Sequence, residues 1–328
     1  MAKNQDLSHD LARMKPVPEI VIIGTGPVGS WIGHELRMAG HEIGYADRGQ
    51  MTRDRRWTIE KDGIVHAWVA PVGGGLIQQA KVIFVTTRAH HLDGVWNQHL
   101  FNLPALPDRT VIVCCNGDIE GILDAWQSAR PDMTIEVGVV TAGIAEKGLE
   151  FHEHFVRGDR EGKLFHGKVS NSKAFREDAK PRISSPAFIY DPEIRQRARK
   201  KWLFNTAANT LAGAMQLPRN DLMIHAYRNR LRELFDEAYD LACERWERWR
   251  IDHHQNPGHR EVLWLELCQL ISDTGANENS MSRAVRLGTG TNEAMFLGGV
   301  AFGHAGYPEI KRMTKILLQP VGEIEPSF

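Results

Sequence analysis

The sequence predicts an α/β protein in which a mostly parallel sheet comes first and an all-α region follows. Three observations carry that prediction. Short apolar runs alternate with helical patterns through the first half, a glycine-rich loop joins the first run to the helix after it, and beyond about residue 191 only helical periodicity remains. The chain has 328 residues, enough for two domains. Residues 1–18 read as a polar N-terminal extension, 19–190 as the sheet domain and 191–328 as the helical domain.

Glu19–Gly24 (EIVIIG) is an apolar strand ending at glycine, followed by a helix through Ala39 with Ile32, Leu36 and Ala39 on one face. His41–Ala46 reads as the second strand. Val82–Thr87, Thr110–Cys115 and Thr134–Val140 are apolar or β-branched throughout, as strands covered on both faces are. Trp57–Glu60 and Ile64–Val69 flank Lys61-Asp62-Gly63 and predict a hairpin. Phe151–Val156 and Lys163–Val169 predict a second hairpin at the sheet's edge. Pro181–Pro192 (PRISSPAFIYDP) reads as the interdomain linker. Helices are expected over Glu193–Met215, Asp221–Trp249 and His259–Ser272, with shorter ones over Asn292–Gly303 and Glu309–Leu318.

Composition narrows the function classes. Forty Lys+Arg against 41 Asp+Glu give a net charge of -1, which argues against nucleic acid or an anionic membrane as the main partner. No apolar run approaches the ~18 residues of a membrane span, and Met1–Pro18 lacks the apolar core of an export signal. Four cysteines without CxxC spacing suggest a reduced, cytoplasmic protein, with Cys114 and Cys115 as small core residues of a strand. The histidine pairs His90-His91, His152/His154 and His253-His254 lack a third spaced ligand, so no metal is expected. Trp246 and Trp249 read as helix residues facing a core or a homodimer interface.

Gly24-Thr25-Gly26-Pro27-Val28-Gly29 is G-x-G-x-x-G between a strand and a helix. The first glycine permits the tight turn, the second lets backbone approach a pyrophosphate, and the third allows close helix–strand packing. The N–H groups of the following helix face the phosphates. The pattern in this context predicts a dinucleotide site. Asp47, ending the second strand, suits the ribose hydroxyls of NAD, whereas the adjacent Arg48 suits the 2′-phosphate of NADP; the two cues leave NAD or NADP open.

Lys201, Asn205 and Asn209 are four residues apart, so on a helix they form one polar ridge about 12 Å long. Their neighbours Trp202, Leu203, Phe204, Ala207 and Ala208 are apolar, so the ridge belongs to a largely buried helix. Three polar groups in that setting suit the floor of a substrate site beneath a nicotinamide. An ammonium in an apolar cleft is a better acid near neutral pH than one in water, and it stabilises a developing alkoxide.

The glycine loop, the K-x-x-x-N-x-x-x-N helix and Asn116-Gly117 after a strand together resemble the ketopantoate reductase (2-dehydropantoate 2-reductase) family, over Glu19 to about Leu318. The resemblance implies a Rossmann domain followed by a helical domain related to that of 6-phosphogluconate dehydrogenases, with the site between them. It implies that Lys201 protonates the carbonyl oxygen as hydride arrives, that Asn205 and Asn209 hold substrate, and that Asn116 sits near nicotinamide and lysine. It further implies a substrate-carboxylate contact for Ser280, a substrate-hydroxyl contact for Glu293, and the 2′-phosphate contact for Arg48. Arg88 stands where the family usually has lysine, which keeps the positive charge near the cofactor but changes its shape. Ala284 and Met295 stand where acids are common, and the loop Arg286–Asn292 is one residue longer. These departures cluster on the distal side of the substrate and point away from ketopantoate itself. The function expected is NAD(P)H-dependent reduction of a 2-oxo acid or related carbonyl. The alternatives are a hydroxyacid or opine-type dehydrogenase on the same scaffold and a non-catalytic dinucleotide-binding sensor.

Overall fold

A computed structural model describes residues 18–46, 53–146, 153–157, 162–169, 183–274, 280–287 and 293–319. The first strand, β1 (Ile20–Ile23), leads through the glycine loop into α1 (Pro27–Met38) and back to β2 (Ile43–Ala46). Then follow β3 (Arg53–Lys61), β4 (Ile64–Val72), β5 (Val82–Val85) and a stretch of short helical turns over 89–100. Next come β6 (Thr110–Val113), α2 (Glu120–Ala129), β7 (Thr134–Val140), β8 (Gly143–Glu146), β9 (Glu153–Arg157), β10 (Leu164–Lys168) and β11 (Phe188–Tyr190). The helical half contains α3 (Ile194–Ala214), α4 (His225–Arg245), α5 (Glu247–Gln255), α6 (His259–Thr274), α7 (Ser280–Leu287), α8 (Ala294–Leu297) and α9 (Pro308–Leu318).

Among the described residues the strands form one sheet in the order β11-β10-β7-β6-β5-β1-β2-β4-β3-β9-β8. The central pairs β7·β6, β6·β5, β5·β1 and β1·β2 are all parallel. Residues of β1, β5 and β6 point alternately into two apolar layers: Val21, Ile83 and Val111 pack with Leu123 and Trp126 on one face, Ile22, Phe84 and Ile112 with Trp31 and Leu36 on the other. Burial on both faces is why these runs carry no polar alternation. A separate apolar cluster, from Trp202 to Leu317, holds the helical half together.

The first hairpin forms as expected. Asp62 and Gly63 have φ of 53° and 74°, and Lys61 faces Ile64, which is the two-residue turn whose twist matches that of paired strands. The second does not. β9 pairs with β3 and β8, and β10 pairs with β7 and β11, so the two segments lie near opposite edges of the sheet. Alternation marks a strand but cannot name its partner. The segment read as a linker also supplies β11, which adds parallel to β10. The helix expected over Asp221–Trp249 is divided: Trp246 adopts φ −122° and ψ 112° between α4 and α5. The sequence there holds no glycine or proline. Trp246 turns inward instead, edge-on to Trp202 at 5.1 Å, and its burial outweighs one unbroken helical ladder.

Candidate active site between sheet and helices

The glycine loop closes on itself by contact. Gly24 has φ +111°, a region open to glycine, and the Oγ of Thr86 donates to the carbonyls of Ile23 and Gly24 at 3.1 Å each. A Cβ on Gly29 would stand 2.1 Å from the Gly24 oxygen, so the third glycine sets how closely α1 approaches β1. A Cβ on Gly26 would meet nothing within 4 Å. Gly26 caps α1, Pro27 is its first residue, and half-buried Val28 packs on the sheet core. The second glycine thus borders open space in front of a helix N-terminus, where first-turn N–H groups lack intrahelical acceptors. These residues fit a dinucleotide pyrophosphate. The loop lies beside the junction of β1 and β5, where strand order reverses, the usual ligand crevice of such sheets.

Two strands and one helix bring further residues to the same carboxyl edge. Arg88 is exposed just past β5. Half-buried Asn116 lies in the loop after β6, before Gly117 at φ +111°. Lys201 reaches the edge from α3: its Nζ donates to the carbonyl of Val140, the last residue of β7, at 3.1 Å. The next two turns of α3 carry Asn205 and Asn209, 8% and 7% exposed. The Oδ1 of Asn209 is buried without a hydrogen-bond partner, a cost of roughly 1–3 kcal/mol that a ligand hydroxyl would relieve. Glu293 is buried at the start of α8.

The thiols of the loop after β6 register these neighbours. Burial pushes the Cys114 thiol up to about 12, against the opposing pull of Lys201. Burial also raises Cys115, with Cys114 and Glu293 adding to the rise and Lys201 again opposing it. One short loop therefore senses both the ammonium and the carboxylate, which are far apart in sequence. Both cysteines lie past the end of β6, half-buried, rather than within the strand as expected; the Sγ of Cys115 donates to the carbonyl of Thr87 at 2.9 Å.

Asp47 and Arg48 lie outside the described residues, so the cue that bears on NAD against NADP has no structural counterpart here. Ser280 begins α7, and its side chain is likewise outside the description. Among the described residues no three His, Cys, Asp or Glu side chains are grouped to hold a metal, and no helix is long and apolar enough to cross a membrane. Sequence reasoning missed the ionic contacts that join the two halves. Arg199 forks onto Glu120 with two bonds of 2.8 Å, Arg195 meets Asp124 at 2.6 Å, and Arg245 pairs with Asp118. Their signal was legible in part, as arginines four apart on one helix face and acids at the start of another.

Sheet and helical half together define a mostly parallel α/β domain with an appended helical domain. Residues 20–169 match the ketopantoate reductase PanE/ApbA family and residues 193–302 match its C-terminal region. The chain belongs to the ketopantoate reductase family, whose members are NAD(P)H-dependent oxidoreductases. No curated protein matches the chain significantly. Among solved structures, a PanE/ApbA family ketopantoate reductase from Ralstonia eutropha is similar at 15% identity and TM-score 0.68, covering 91% of this chain and 96% of its own. A dimeric ketopantoate reductase from Staphylococcus aureus is similar at 19% identity and TM-score 0.66, with coverage of 91% and 96%. A ternary structure of D-mandelate dehydrogenase with NADH and anilino(oxo)acetate is similar at 14% identity and TM-score 0.70, with coverage of 90% and 96%. At these identities the likeness is one of fold.

Proposed function

We propose that this chain reduces the keto group of a 2-oxo acid with NADH or NADPH, with Lys201 as the proton donor. The observation that carries this reading is the position of the Lys201 ammonium, 3.1 Å from the Val140 carbonyl at the carboxyl edge of the sheet and on one ridge with two buried carboxamides. The bound nucleotide supplies the hydride. The glycine loop and the first turn of α1 bind its phosphates through backbone N–H groups. Arg88 contributes positive charge at the mouth, and Asn116 donates or accepts beside the reacting carbonyl without adding charge that competes with the ammonium. Lys201 stabilises the oxyanion as it develops and transfers a proton from Nζ to it. Asn205 and Asn209 orient the substrate, the buried Oδ1 of Asn209 accepting from a hydroxyl group. Ser280 contacts the carboxylate and Glu293 a distal polar group.

The division into residues 19–190 and 191–328 then separates nucleotide from substrate functions, with Asn116 on one side of the boundary and Lys201 on the other. Consumption of NADH and of NADPH with pyruvate, ketopantoate and phenylglyoxylate tests the reading. Turnover with at least one 2-oxo acid is expected, and the ratio between the nucleotides weighs Asp47 against Arg48. Tight nucleotide binding with no oxidation in the presence of any carbonyl favours the sensor instead.

A further inference from the structure

The loop after Asn116 is held by a closed circuit of contacts that none of the roles above uses. Gly117 has no room for a side chain: a Cβ there would lie 2.5 Å from the Cβ of Phe296 and 3.0 Å from its carbonyl oxygen. That same carbonyl accepts from the backbone N–H of Asp118 at 2.7 Å and from the indole N–H of Trp202 at 3.2 Å. Trp202 is the residue after Lys201, and Phe296 lies three residues after Glu293. One oxygen atom therefore joins the Asn116 turn, the Lys201 helix and the Glu293 segment.

The circuit closes on the other side through charge. The Asp118 carboxylate, with its side chain 1% exposed, pairs with Arg245 at the end of α4. Next to Arg245, Trp246 stands edge-on to Trp202 at 5.1 Å and lies under the Arg199 guanidinium at 5.1 Å. Arg199 forks onto Glu120, two residues beyond Asp118. The helix break at Trp246 is what allows Arg245 and Trp246 to serve this circuit together.

Burying this acid carries a desolvation cost. Burial raises the Asp118 carboxyl above its usual range even though Arg245 draws it down, so desolvation exceeds the return from the pair. Replacing a whole buried pair by well-packed apolar groups is often neutral or stabilising, and the better-attested use of such pairs is to fix one geometry.

We propose that Asp118, Arg245 and Trp202 are positioning residues, which through the Phe296 carbonyl hold the Asn116 turn in register with the Lys201 ammonium. The proposal rests on the reductase reading above. Near-attack alignment is sensitive to small displacements, and an error of about 1 Å can cost on the order of 100-fold in rate. Asp118→Asn keeps the shape and removes the charge, and Arg245→Gln removes the partner from a more exposed position. Each is expected to lower kcat about 10- to 100-fold, with nucleotide Kd by fluorescence titration within about twofold and an unchanged or higher thermal midpoint for Asp118→Asn. Arg245→Lys should recover most of kcat, and the double variant should be no slower than either single one, because the pair acts as a unit. Trp202→Phe, which keeps an aromatic side chain but loses the N–H together with the five-membered part of the indole, should lower kcat in the same sense. Wild-type kcat in both Asp118→Asn and Arg245→Gln overturns the proposal. So does a kcat loss that Arg245→Lys fails to recover and that follows a fall in thermal midpoint. A wild-type chain that binds nucleotide and reduces no 2-oxo acid overturns the reductase reading, a result distinct from an active wild type with indifferent variants.

Discussion

The glycine loop and the Lys201 ridge, the two parts of the proposed site, are fixed by different means. At Gly24–Gly29 the constraint is backbone packed on backbone, with Thr86 bonded to two carbonyls of the turn and Gly29 against the Gly24 oxygen. Along Lys201–Asn209 the constraint is a buried helix whose polar atoms look to other segments: Lys201 to Val140, and Asn209 to no protein partner through its Oδ1. The contrast teaches how each wall fails. A loop defined by missing side chains fails by steric intrusion, which disturbs fold and binding together. A ridge defined by side chains fails one function at a time.

Lys201→Ala breaks the comparison most sharply. It should cost about 10²- to 10⁴-fold in kcat, the range of lost general acid catalysis, while nucleotide Kd by fluorescence titration stays near wild type. Near-wild-type turnover in that variant removes the proton-donor assignment. The loop should behave the opposite way. Gly29→Ala forces a Cβ to within 2.1 Å of a backbone oxygen, and overpacking of this kind costs about 1–3 kcal/mol in stability by denaturant titration, with nucleotide affinity lost as well. Gly26→Ala makes no contact within 4 Å; it should leave the denaturation midpoint unchanged and weaken nucleotide binding by about tenfold, or 1.4 kcal/mol. Equal stability losses at both glycines would mean that Gly26 does not border the phosphate site.

Asn209→Ala should be milder. It removes a buried acceptor that lacks a partner, and relief of that cost of roughly 1–3 kcal/mol offsets the packing lost with the side chain, so stability should change little while KM for the 2-oxo acid rises about tenfold at similar kcat. The smallest effect lies at the far end of α1, outside the crevice. Burial raises the Glu35 carboxyl, but hydrogen bonds and charge from His34 and Lys61 bring it net below its usual range. A carboxyl depressed in the fold contributes stability that is present above its unfolded value and is lost as pH falls through the folded one. The thermal midpoint of the wild type should therefore drop faster on acidification below about pH 4.5 than that of Glu35→Gln, with kcat at neutral pH alike in both.

The sequence carried a large part of this molecule. The strand limits of β7, the turn at Asp62-Gly63 and the α3 ridge follow from an unbroken run of apolar and β-branched residues, a turn pair and a four-residue repeat, all of which act over a few residues. Less was legible at the site. Asn116, Lys201 and Glu293 could be picked out singly, yet the Val140 carbonyl that holds the Lys201 ammonium carries no motif. Asp118 and Arg245 gave no sign of each other, since a pair 127 positions apart leaves no local pattern.

By itself, then, the sequence determined where the chain is periodic, where glycine must stand and which polar groups share a helix face, because short-range sterics and burial periodicity set those properties. The tertiary structure alone decided that β9 joins β3 while β10 joins β7, that the helix breaks at Trp246, and that one Phe296 carbonyl binds two distant segments. These are choices among partners of similar local merit, and only the packing of the whole chain ranks them.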